Sequence, residues 1–126
     1  MRQTGFSKKV VAAIIARDEG CCFRCGGYVL HGERGRDWSL QHRRARGMGG
    51  SRRPDTDSVQ NGILLCGSAT TGCHGWVESN RIEAIENGWA VPQHGDPLQV
   101  AVVHWRDGTI HLHSNGFTSS RPEVTV

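Results

Sequence analysis

The chain has 126 residues, of which 37% are hydrophobic and 17 are Gly, with 15 Lys and Arg against 12 Asp and Glu. That length points to one compact domain, and so small an apolar fraction leaves a core that needs a covalent or metal staple. No stretch approaches the roughly 20 apolar residues that cross a bilayer, and no signal peptide is recognised, so a cytoplasmic protein without a membrane partner is expected.

Phe6 to Arg17 is predicted to be an amphipathic helix, with Ser7 as N-cap and Val10, Val11, Ile14 and Ile15 on its apolar face. Asp18-Glu19-Gly20 ends it. Cys22-Phe-Arg-Cys25 follows, a C-x2-C run closed by Gly26-Gly27, and this is the turn in which backbone N–H groups can point at thiolates. Trp38-Ser-Leu-Gln-His42 alternates apolar and polar and is predicted to be a short strand. Arg43 to Asp57 has no apolar period, holds Gly47, Gly49, Gly50 and Pro54, and reads as an open basic loop.

Ile63-Leu64-Leu65, within Val59 to Cys66, is predicted to be a second strand, and Gly67–Gly72 a turn. Cys73 to about Asn87 is predicted to be one helix, with Trp76, Val77, Ile82 and Ile85 on its packed face and Asn87-Gly88 as its stop. Trp38 and Trp76 are assigned to the core. Leu98–Trp105 and Thr109–His113 flank Asp107-Gly108, a two-residue hairpin signal that pairs Trp105 with Ile110 and Val103 with Leu112, and sets His104 opposite His111, where the two could hold an adventitious metal. Residues after Gly116 are expected to fray.

Cysteine spacing points to a metal rather than to disulfides. Cys22, Cys25, Cys66 and Cys73 form two well-spaced pairs, and four thiolates make a closed tetrahedral zinc site. Cys21 is left over and is expected to be a small buried thiol. Charge is uneven as well: seven Arg and a single acid, Asp37, lie between Arg34 and Arg53, whereas the rest of the chain carries 8 basic and 11 acidic groups. A concentrated Arg segment on a mildly acidic body is expected to face nucleic acid.

Gln41-His42-Arg-Arg-Ala-Arg-Gly-Met-Gly-Gly50, Asn61-Gly-Ile-Leu-Leu-Cys66 and Cys73-His74-Gly-Trp-Val-Glu78, preceded by the C-x2-C knuckle, together resemble the HNH endonucleases, the ββα-metal family, and in wording the small bacteriophage and prophage members. The resemblance covers about 17–88. It implies an α+β fold with a ββα-metal core stapled by the four-cysteine zinc, an N-terminal helix and a C-terminal hairpin at about 98–113, all within one domain over 1–126. It also implies a metal-dependent phosphodiester hydrolase acting on DNA.

By that resemblance His42 is the general base, Asn61 holds the loop and the His42 backbone in register, and His74 binds a catalytic divalent metal (Mg2+, Mn2+, Ni2+ or Zn2+). The family usually has Asp, Glu or His before the first His. Here Gln41 stands there, a neutral amide, and Glu78, one helical turn after His74, is assigned as a further ligand. Arg43, Arg44, Arg46, Arg52 and Arg53 then become phosphate contacts. The rival functional readings are a zinc-stapled DNA-binding module with weak or no catalysis and an RNA-binding zinc ribbon.

Overall fold

The computed structural model describes residues 5–46 and 53–124. Mixed α and β elements run in the order α1 (Lys8–Arg17), β1 (Trp38–His42), a 3-10 turn (Val59–Asn61), β2 (Gly62–Cys66), α2 (Gly72–Ser79), α3 (Arg81–Glu86), β3 (Val102–His104), β4 (Gly108–Leu112) and β5 (Thr118–Ser119). No helix is long and apolar enough to cross a membrane among the described residues.

Ser7 caps α1, its side chain accepting from the Val10 amide, which satisfies one of the donors that a helix start leaves orphaned. At the other end Arg17 and Asp18 form a buried bidentate pair, Nε to Oδ1 at 2.7 Å and Nη2 to Oδ2 at 2.9 Å. The same guanidinium donates to the carbonyls of Val59 and Gly62, and Asp18 Oδ2 accepts from the Leu64 amide. This pair joins the end of α1 to the start of β2.

β1 and β2 are antiparallel in a register that sets Trp38 against Cys66 and His42 against Gly62. α2 follows β2 after a short turn and packs on both strands. Ile63, Leu64 and Leu65 are all fully buried, because β2 has α1 on one side and α2 on the other. The core continues through Ile14, Phe23, Trp38, Val77, Trp89, Val102 and Leu112, with Trp76 packed against it.

The second helical segment differs from the sequence expectation. One helix over 73–87 is broken at Asn80, whose backbone sits at φ −123°, ψ 62° and whose side-chain amide donates to the Trp76 carbonyl. An Asn that bonds back to the chain competes with helix continuation. The break turns α3, so Ala84 is buried while Ile82 is 72% exposed and Ile85 also reaches solvent. Gly88 stops α3 at φ +76°, where a side chain would also strike the Ala101 carbonyl.

The hairpin register is also corrected. Val102 faces Ile110 and His104 faces Gly108, so the loop has three residues rather than two. His104 Nδ1 accepts from the amides of Arg106 and Asp107, and Gly108 takes the left-handed conformation (φ +74°) that closes such a loop. An odd shift in register exchanges the faces of β3. Val102 and His104 therefore point inward and Trp105 outward at 43% exposure, and His104 and His111 do not form a pair. The segment after Gly116 is tied down by β5, which pairs with β4, and by His113, whose ring meets Ser119 Oγ and the Arg121 carbonyl.

Candidate metal centre and candidate active site

One loop and two regular elements bring the cysteines together. Cys22 and Cys25 lie in the turn after α1, closed by hydrogen bonds from the Cys22 amide to the Gly27 carbonyl and from the Gly26 amide to the Cys22 carbonyl. Cys66 ends β2 and Cys73 opens α2. Backbone bonding from Phe23 to Leu64 pins the first turn to β2. The sulfurs of Cys22, Cys25, Cys66 and Cys73 all lie within 4.8 Å of one another, and the Cys73 amide donates to Cys66 Sγ.

This group can hold a structural metal ion such as zinc, and it is the one cluster of three or more His, Cys, Asp or Glu donors among the described residues. Burial pushes the Cys22 thiol far up and the Cys73 thiol up. Burial opposes ionisation of Cys25 too, but the Gly27 amide and the neighbouring cysteines outweigh it and hold that thiol below its usual value. A divalent ion bound by four sulfurs would take the place of those protons. Cys21 stands outside the cluster, half-buried rather than buried, with its thiol toward the Glu19 carbonyl.

The second site is a cavity of about 580 Å³ where β1 meets α2, lined by Gln41, His42, Arg46, His74, Glu78 and Arg81. A cavity of similar volume, between α1 and residues 115–118, offers only Arg17 as a charged group, and Asp18 already engages that side chain.

In the first cavity the two imidazoles are held in defined ways. Ser39 Oγ donates to the Gly67 carbonyl at 3.0 Å and lies 2.6 Å from His74 Nδ1. A hydroxyl has one proton, so Nδ1–H donates to Ser39 and His74 keeps its lone pair on Nε2. That nitrogen is 3.6 Å from Glu78 Oε1. An imidazole whose other nitrogen is held as a donor is the usual arrangement of a metal ligand.

His42 is held the other way round. Its Nε2 is 2.7 Å from Asp57 Oδ1. A carboxylate only accepts, so Nε2 carries the proton and Nδ1 the lone pair. The ring stacks on Phe6 with centroids 4.1 Å apart. Burial lowers its pKa, opposed by the hydrogen bond and charge of Asp57. Burial also lowers that of His74, against Glu78.

Asn61 is fully buried and does not line the cavity. Its Oδ1 accepts from the Arg44 amide at 2.7 Å, and its Nδ2 donates to the Arg44 and Thr56 carbonyls. One side chain thus fixes the backbone two residues after His42 and one residue before Asp57. Gln41 is 3% exposed and shares its face of β1 with Ser39, toward α2.

The arginine segment divides. Arg43 and Arg44 are not surface groups. Arg43 is completely buried and donates to the carbonyls of Gly88, Gln60, Pro97 and Val100. Arg44 is 3% exposed, paired with Asp55 and bonded to the Gly95 carbonyl. The backbone of 87–101 forms no strand and meets the end of β1 only through a parallel bridge between Arg44 and Val91, and these guanidinium groups satisfy its carbonyls at Gly88, Gly95, Pro97 and Val100. The reading of Arg43 and Arg44 as phosphate contacts is overturned. Arg46 stands at the cavity, Arg53 is exposed and bonded to the Gln93 carbonyl, and Arg52 lies outside the described residues.

Ser39, Asp57, Arg81 and Phe6 were not picked out in the sequence. Ser39 alone carried a signal there, two residues before Gln41 on the same strand face. Comparisons with family models, with curated proteins and with solved structures return no match to this chain.

Proposed function

We propose that the chain is a metal-dependent DNA endonuclease of the ββα-metal type, stapled by a structural zinc on Cys22, Cys25, Cys66 and Cys73. The observation that carries this reading is the pair of imidazoles on one cavity, each with a different partner behind it, Asp57 on His42 and Ser39 on His74. His42 takes a proton from the attacking water at Nδ1, and Asp57 stabilises the imidazolium that forms. His74 Nε2 and Glu78 would hold a catalytic divalent ion, with the Gln41 amide as a neutral third donor. When bound, that ion would neutralise the phosphate and the leaving 3′ oxygen. Arg46 and Arg81 supply positive charge at the same cavity for the phosphodiester. Asn61 acts through the backbone and is a positioning residue.

The second reading, a zinc-stapled DNA-binding module, is favoured by Gln41: an amide where a carboxylate would bind a hard cation better. Conversion of supercoiled plasmid to nicked or linear DNA by zinc-loaded protein with Mg2+, Mn2+ or Ni2+, abolished by chelator, supports the nuclease. Binding without cleavage under every metal supports the module.

A further inference from the structure

Arg24 lies between the two cysteines of the knuckle, yet its side chain turns inward. Nη1 donates to Cys73 Sγ at 3.3 Å. The guanidinium carbon lies 3.9 Å from the centre of the Trp76 ring and 5.2 Å from that of Trp89. Those two rings meet edge to face at 5.9 Å. Nε is buried without a hydrogen-bond partner, and among the described residues no carboxylate pairs with this side chain.

A guanidinium with an orphaned buried donor and no carboxylate costs free energy unless another negative charge offsets it. The sulfur cluster is the negative group in reach. Four thiolates around a divalent ion carry a net charge of −2, and Cys22 and Cys73 are buried. An anionic centre with two of its four sulfurs buried needs a cation as much as Arg24 needs an anion. The aromatic floor explains why an arginine stands here: a flat guanidinium stacks on indole while its edge still donates to sulfur.

We propose that Arg24 is the built-in counter-charge of the four-thiolate metal centre, held on Trp76 and Trp89 so that its edge meets Cys73. The proposal rests on the reading of the four cysteines as a metal centre. It also gives the knuckle a direct hold on α2, since Cys73 and Trp76 flank His74 on that helix.

The test compares wild type, Arg24→Gln and Arg24→Lys in two assays: transfer of bound zinc to a competing chelator, and absorption of the Co2+-substituted proteins. Arg24→Gln is expected to lose roughly 10–100-fold in zinc affinity, the range for residues that support metal ligands from behind. Its sulfur-to-Co2+ charge-transfer band is expected to move to lower energy, because the thiolate electrons lose a stabilising cation. A packing role alone would weaken the fold without moving the band. Arg24→Lys keeps the charge and is expected to fold, to hold zinc within about tenfold of wild type and to keep the band. It carries the test if the Gln variant does not fold. Unchanged zinc transfer and an unchanged band in Arg24→Gln, or free loss of zinc from a folded Arg24→Lys, overturns the proposal alone. A wild-type protein that takes up no stoichiometric metal overturns the four-thiolate reading and this proposal with it.

Discussion

Asp57 is where the chemistry of a single residue can be read most directly. Its carboxylate fixes the tautomer of His42 and raises the His42 pKa against the stronger effect of burial. Asp57→Asn should therefore have two effects with separate signs. The plateau rate of DNA cleavage is expected to fall on the order of 100-fold or more, as when a base loses the partner that orients it. The acidic limb of the pH–rate profile is expected to move to lower pH, because the group that favoured the imidazolium is gone. An unchanged plateau with an unchanged limb would show that Asp57 is only a surface partner. Gln41 offers the complementary change. Gln41→Asp puts a charged oxygen at the proposed catalytic metal, so metal titration and nicking rate should both improve. Without bound metal the new carboxylate would be a buried charge near Glu78, and the variant should melt lower than wild type unless the ion is supplied. Equal metal affinity in the two proteins would remove Gln41 from the ligand set.

At the scale of elements, Arg43 is expected to matter for stability and not for DNA. Arg43→Met leaves three buried carbonyls and the part-buried one of Val100 without this donor, which should cost at least about 3 kcal/mol in denaturant unfolding. The slope of log binding constant against log salt should not change, whereas loss of a phosphate contact would lower it by roughly one. Arg43 marks the limit of what a sequence carries about long-range contacts. β1 and β2 were legible because alternation and a short apolar run report strand period directly. Ser7 and Gly88 were legible because caps depend on their own backbone. The four cysteines were legible because their spacing is set by local turns. Arg43 was not, since its partners lie 17 to 57 residues away. Ser39 and Asp57 are illegible for the same reason: Ser39 meets His74 only once α2 packs on β1, and Asp57 meets His42 only once the segment before the 3-10 turn folds back on β1. The hairpin shift arose from His104, whose side chain caps the loop in a way that Asp107-Gly108 does not announce.

For the whole molecule, the proposed zinc staple would serve both stability and site. The cysteine cluster ties the turn after α1 to the end of β2 and the start of α2, and Cys73 is the neighbour in sequence of His74. Removing zinc by chelation, or changing Cys25→Ser, should therefore cost most of the fold, since a structural zinc contributes on the order of 10 kcal/mol. Circular dichroism during chelation would report this loss, and a chain that stays fully folded without metal would show that the core suffices. In the proposed reaction, hydrolysis runs through His42 on an intact, metal-loaded scaffold. The most direct measurement is plasmid cleavage by His42→Ala beside wild type, at matched zinc content and with DNA binding measured on the same samples. His42→Ala is expected to bind DNA and metal as wild type does and to cut nothing above background. Cleavage by His42→Ala at the wild-type rate, or no cleavage by wild type under any divalent metal, would contradict it.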